Sequence, residues 1–281
     1  MKSKYISLLV SLVLISACSH NRLALDSEKN VPKSQLELSE KKNIPVTFFP
    51  DPVEIVSVGD SLTAGVGDSK DAGGYLPYLK ESLESEPTIT SVKMDNFGVK
   101  GNRSDQLLER LDSTAIKGSI EKADAVVITI GGNDIMKVVR NHFSELKMAQ
   151  FNDARKGYEL RLKQIIEKVR LYNQDTHIYL VGVYNPFSQW FTGFGEFDTI
   201  MEDWNKSSER IVNEYDEAYY VNIGDIFKGT TAEVLYTGDY FHPNDLGYQL
   251  IADRIYRNLD IMSLGYDALA AGAKGDENDD N

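Results

Sequence analysis

Ser61, Asn133, Asp239 and His242 are the residues of this chain whose types and spacing fit chemistry, and that chemistry is acyl transfer through a serine. A hydroxyl is a weak nucleophile until a neighbouring base takes its proton. Imidazole titrates near neutral pH and carries a proton both ways, so His242 is the candidate base. Asp239 stands three residues earlier in Asp239-Tyr240-Phe241-His242. It can reach the other ring nitrogen, fix the tautomer and stabilise the imidazolium. Attack on an acyl carbon creates an oxyanion, which needs preplaced donors. Three stretches offer them: the Ser61 N–H in Gly59-Asp60-Ser61-Leu62, a glycine N–H within Gly98-Val99-Lys100-Gly101, and the Asn133 amide in Gly131-Gly132-Asn133-Asp134. Each has a plainer reading. Gly131 to Asp134 taken alone is a tight turn, Asp239 is a turn-former, and His242 is a helix-entry residue beside Pro243. Of the other histidines, His20 lies in a polar stretch and His177 opens a predicted strand. His142 falls in the insertion after the third predicted strand, where it can be a surface residue or touch substrate.

The elements that must position these groups alternate between strand and helix. Residues 53–58, 92–99, 125–130, 178–183 and 219–223 read as strands, and 125–130 is a β-branched run fit for burial on both faces. Residues 75–83, 104–111, 116–122, 158–172, 199–215 and 244–258 read as helices, the last with Asn244 as its N-cap. Such alternation implies a parallel sheet with helices on both faces, and ligands bind beyond the carboxyl ends of its strands. Ser61 follows the first strand, Gly98 to Gly101 the second, Asn133 the third, and His242 lies after the fifth. All four stretches therefore converge on one rim.

Other chemistries fail on the residues. Position 63 is Thr, so Ser61 lacks a Gly-x-Ser-x-Gly elbow. Gly65 and Gly67 have neither the Lys-Ser/Thr of a phosphate loop nor the third glycine of a dinucleotide fingerprint. With one cysteine and no His-x-x-x-His, no zinc site is expected, and no cofactor is called for. A formal net charge of −13 without a basic run argues against nucleic acid as a partner. The 281 residues, 42% hydrophobic, suit one sizeable folded domain, with boundaries expected at 51–262.

The two ends read differently. Lys2 and Lys4 precede an uncharged run at 6–17, a basic head before an apolar segment too short to cross a bilayer as a helix. The run ends in Ile15-Ser16-Ala17-Cys18, which resembles the lipobox of bacterial lipoproteins; an ordinary signal peptide with an incidental thiol is the alternative. Residues 1–17 are thus expected to be a signal peptide, Cys18 the lipidated residue, and 18–50 a polar tether. The expected location is extracytoplasmic, anchored to a bacterial cell membrane. Residues 263–281 read as an acidic tail.

The four motif stretches resemble those of the SGNH, or GDSL-type, hydrolases, over about residues 53–260. The likeness extends to bacterial lipoprotein lipases and acylhydrolases, those of Gram-positive bacteria in particular. It implies a three-layer α/β/α sandwich with a five-stranded parallel sheet of flavodoxin-like type, and a metal-free ester or thioester hydrolase. It also implies Ser61 as nucleophile, His242 as base and Asp239 as its partner. The implied oxyanion hole is Ser61, Asn133 and a glycine, Gly101 by its place in the family pattern with Gly98 as the alternative.

After the fourth strand come Phe187, Trp190, Phe191, Phe194 and Phe197 in a predicted loop. They are either a satellite core or an apolar wall for an acyl chain, with residues 135–150 as the opposite wall and both elements as lids. The substrate expected is an acyl ester, lipid or small. A carbohydrate esterase acting on cell-wall glycans is the alternative, and a non-catalytic surface binding module is a third reading. Oligomeric state is not legible.

Overall fold

The computed structural model describes residues 51–187, 195–228 and 231–260. The signal peptide, Cys18, the tether, the acidic tail and Trp190, Phe191 and Phe194 lie outside the described residues.

Five parallel strands form one sheet: β1 (Asp51–Gly59), β2 (Ile89–Gly98), β3 (Ala125–Thr129), β4 (His177–Val181) and β5 (Ala218–Val221). Their order is β2-β1-β3-β4-β5, the flavodoxin-like doubly wound order. The helices are α1 (Ser61–Ala64), α2 (Leu76–Glu84), α3 (Ser104–Arg110), α4 (Thr114–Ile120), α5 (Gly132–Asn141), α6 (Met148–Tyr172), α7 (Phe197–Val212), α8 (Thr231–Val234) and α9 (Asp245–Asn258). A 3₁₀ turn, Gly224–Phe227, follows β5.

Strand periodicity sorts the core into two layers. Val56, Val58, Val126, Ile128, Ile178 and Leu180 pack with α3 to α7. Val53, Ile55, Ala125, Val127, Tyr179 and Val181 pack with α2, α9 and the 3₁₀ turn. Every residue of β3 and β4 is buried, as continuous apolar runs between two helical layers should be. The three-layer α/β/α expectation is met.

Two stretches differ from the sequence reading. α6 begins at Met148, ten residues before the expected 158. Phe151 in its first turn is buried and meets Phe197 edge-on, a tertiary contact, and a local cap in which Lys147 N–H donates to Gln150 Oε1 at 3.0 Å marks its start. The charged run around Asp153 to Gly157 masks that stripe in the sequence. Residues 132–141, read as part of an insertion, are the helix α5. Phe197 is no loop aromatic; it is buried at the head of α7 and stacks on Phe187 with centroids 4.4 Å apart.

Candidate active site

β1 ends at Gly59, and the chain turns at Asp60 into α1. The Asp60 carboxyl accepts the Leu62 N–H at 3.0 Å and so caps that turn. Ser61 is therefore the first helical residue, 6% exposed, with its N–H unspent by the helix.

His242 arrives from the loop between α8 and α9. The neck of that loop is closed by Tyr236 N–H to His242 O (2.8 Å) and Asn244 N–H to Val234 O (2.9 Å). Inside it, Asp239 divides its two oxygens. Oδ1 accepts the backbone N–H groups of Phe241 (2.9 Å) and His242 (3.0 Å), and Oδ2 lies 2.6 Å from His242 Nδ1. His242 Nε2 lies 2.9 Å from Ser61 Oγ. Residues 181 positions apart thus meet, in a continuous chain of short contacts from carboxylate to imidazole to hydroxyl. Burial pushes the Asp239 carboxyl up, but the hydrogen bonds from His242 and from two backbone N–H groups outweigh it. They hold Asp239 below the ordinary carboxylate range.

The opposite flank is built by the loop after β2 and by α5. Gly98 donates its N–H to Asn96 Oδ1 at 2.9 Å, so that proton is spent. A side chain at Gly98 would also run into Ala64 N, 2.1 Å from the Cβ position. Gly101 is exposed, has φ +79°, and has open space around its Cβ position. Asn133 sits in the first turn of α5, and its Nδ2 donates to Asn102 O at 3.2 Å. An amide nitrogen carries two protons, so one is left for another acceptor. Arg110 braces this loop through Asn102 Oδ1 (2.6 Å) and Phe97 O (2.8 Å).

Ser61, His242 and Asn133 open onto one cleft, otherwise lined mainly by apolar groups such as Leu62, Ile135, Met136, Tyr184, Phe187 and Met201. Of the expected opposite wall, Ile135 and Met136 do line this cleft; Val138 faces a separate polar one, Val139 is buried, and Phe143 is exposed. His142 also faces the polar cleft, and His177 Nδ1 lies 3.2 Å from Glu217. Among the described residues no group of three His, Cys, Asp or Glu is arranged to hold a metal.

Several supporting residues escaped sequence reading. Asp60 is 5% exposed and accepts the Thr129 hydroxyl at 3.1 Å; Thr129 Oγ1 is 2.8 Å from Thr63 Oγ1, which is 3.0 Å from Tyr75 Oη. Burial raises the Asp60 pKa to about 7 against the opposing hydrogen bonds from Leu62 and Thr129. Tyr184 Oη donates to Phe241 O at 2.6 Å, tying β4 to the histidine loop. Tyr248 Oη donates to Val66 O at 2.7 Å behind α1. The available signal was weak: a motif aspartate and two tyrosines near strand or helix ends.

A serine hydroxyl hydrogen-bonded to imidazole, facing an apolar cleft at the carboxyl edge of a parallel sheet, defines the class: a serine ester hydrolase of α/β type. The chain belongs to the GDSL-like lipase/acylhydrolase family, whose model matches residues 57–250. It is 35% identical over 259 residues to the protein YpmR of Bacillus subtilis strain 168, covering 92% of this chain and 96% of that protein. It is 25% identical over 210 residues to the spore germination lipase LipC of Bacillus licheniformis, covering 72% and 94%. Among solved structures, a lipase from a goat rumen metagenome, Lip_vut3, superposes with TM-score 0.66 at 23% identity, covering 73% of this chain and 96% of that one. A catalytic mutant of the acetylxylan esterase Axe2 of Geobacillus stearothermophilus superposes with TM-score 0.57 at 18% identity, covering 77% and 96%. These last two likenesses bear on the fold alone.

Proposed function

We propose that the chain hydrolyses acyl esters with an apolar acyl portion through a Ser61–His242–Asp239 triad. The observation that carries this is the 2.9 Å approach of His242 Nε2 to Ser61 Oγ at the wall of the apolar cleft. Ser61 Oγ attacks the ester carbonyl while His242 Nε2 takes its proton. The tetrahedral oxyanion is met by the N–H groups of Ser61 and Gly101 and by the spare Asn133 amide proton. Gly101 is preferred to Gly98 because the Gly98 N–H is already bonded to Asn96. His242 then gives the proton to the departing alcohol. The same imidazole deprotonates a water, which releases the carboxylic acid and restores Ser61. Asp239 stays ionised throughout, and its lowered pKa supports that role.

The acyl chain lies between α5 and the β4–α7 side, against Met136, Phe187 and Met201. The preceding leader, with Cys18 as lipid attachment site, would hold the enzyme outside the cytoplasm on the cell membrane. The basis for that is the lipobox-like Ile15-Ser16-Ala17-Cys18 after a basic head and apolar run.

The test is turnover of p-nitrophenyl esters from acetyl to dodecanoyl by wild type and by Ser61→Ala. Wild type should favour medium chains, and Ser61→Ala should lose activity by at least about 10³-fold with its circular dichroism unchanged. Residual wild-type rates in Ser61→Ala would refute the mechanism. A clear preference for acetyl would replace the lipid-ester reading with deacetylation of glycans.

A further inference from the structure

Two clefts share a wall just beyond the carboxyl end of β4. The apolar cleft onto which Ser61 and His242 open has room of about 40 Å³. A wider cleft of about 550 Å³, whose walls include Asn185, Glu202, Lys206 and Asn222, lies on the far side. Among the described residues, Val183, Tyr184 and Met201 line both clefts and so form the partition between them.

The β4 side of that partition is fixed by hydrogen bonds. Asn205 Oδ1 accepts the Val183 N–H at 2.9 Å and Asn205 Nδ2 donates to Val183 O at 2.8 Å, which fastens this backbone to α7. Tyr184 is held by its hydroxyl on Phe241 O and by its stack on Phe227. The next residues are tied as well: Asn185 Nδ2 donates to Asp198 Oδ1 at 2.8 Å, and Asn185 Oδ1 accepts the Phe187 N–H at 2.9 Å. The Met201 side chain offers no strong hydrogen-bonding group, and its rotatable bonds let it fill irregular space. It stands one helical turn after Phe197 and one before Asn205, on their face of α7. Phe197 stacks on cleft-lining Phe187 and Asn205 grips Val183, so Met201 lies between two fixed points, 7% exposed.

We infer that Met201 sets the length of acyl chain the enzyme accepts: its side chain is the stop at the end of the apolar cleft, and the wider cleft is the room behind that stop. This rests on the reading of Ser61 as nucleophile and deepens it by assigning the length limit of the acyl half to one side chain. Truncation to alanine removes about three heavy atoms, room for about two methylenes, and each buried methylene is worth roughly fourfold. Beyond that space the chain end meets polar groups such as Glu202 and Lys206, paired at 2.6 Å, and gains nothing further from burial.

The experiment measures kcat/KM of the full-length protein for p-nitrophenyl esters from acetyl to hexadecanoyl, in steps of two carbons. Wild type should rise to a limiting length and fall beyond it. Met201→Ala should move the limit one step longer, raising the first ester past the wild-type limit about tenfold relative to the ester at the limit. Met201→Phe, which adds bulk, should move the limit one step shorter, so a loss of fold in one variant, seen by circular dichroism, leaves the other to decide. A wild-type profile that climbs without a limit, profiles that stay in place in the variants, or shifts in the same direction in both would overturn the inference while leaving the hydrolase reading intact. An unmoved acyl profile with a shifted preference among alkyl butanoates of increasing alcohol length would assign the Met201 wall to the alcohol half and also overturn it. Turnover of none of these esters by wild type would instead count against the hydrolase reading itself.

Discussion

At the residue scale, Asp60 and Asp239 show how one side-chain type is shifted in opposite directions around one serine. Asp239 is partly exposed and meets three donors, so it titrates below the ordinary range. Asp60 is buried with two donors, and desolvation wins, raising it from 3.8 to about 7. Between those two values the native state holds a proton that the unfolded chain has lost. Stability therefore falls as pH rises from 3.8 to about 7 and is level above. The upper bound for that slope is on the order of 4 kcal/mol in total. Asp239 has the reverse sign: its contribution is present above the unfolded value and lost only as pH falls through its depressed native value. Asp60→Asn should flatten the dependence of Tm on pH between about 5 and 7 relative to wild type. Parallel Tm profiles for the two proteins would show that Asp60 is ionised throughout. The Asp239–His242 pairing was legible in the sequence because three residues of covalent spacing nearly impose it. The Asp60–Thr129–Thr63 chain was not, because Thr129 arrives from β3, 69 positions away.

At the scale of elements, the site depends on loops held by strands they do not adjoin in sequence. The histidine loop is pinned from β4 by the Tyr184 hydroxyl on Phe241 O, and Tyr184 itself stacks on Phe227 with centroids 3.8 Å apart. Tyr184→Phe keeps the stack and removes that bond. It should cost about 1 kcal/mol of stability. It should also lower kcat more than it changes KM, because His242 loses part of its support. An unchanged kcat would mean the loop is held by its closed neck alone. The strands and most helices were legible from their periodicity, to within a few residues at the ends. The misses share a cause. Residues 132–141 and 148–157 mix charges into a helical stripe, and their partners (Phe197, Arg161 and the start of α3) are contributed by other elements. The aromatic run after β4 was read as an open choice between satellite core and acyl-chain wall; Phe187 stacks on buried Phe197 and lines the cleft, and Trp190, Phe191 and Phe194 lie outside the described residues.

At the scale of the molecule, the strand order puts the ends of β1, β2 and β3 side by side, and the histidine loop reaches Ser61 just beyond the end of β1. Convergence on one rim was legible because parallel sheets bind at their carboxyl ends. The separate polar cleft faced by Val138 and His142 was not, since it needs three helices at once. The leader carries its own expectation. Cys18→Ser should move the protein from the membrane to the soluble fraction, with ester turnover per molecule changed less than about twofold, since each buried acyl methylene holds an anchor by about 0.8 kcal/mol. Retention of that variant on membranes would remove Cys18 as the anchor. The central claim is that Ser61 is the activated nucleophile, and covalent labelling reads it directly. A fluorophosphonate probe incubated with the full-length protein should form one adduct, located on Ser61 by peptide mass spectrometry. Labelling should fall by at least about 10²-fold in His242→Ala. An adduct on another residue, or none while ester turnover persists, would contradict the account.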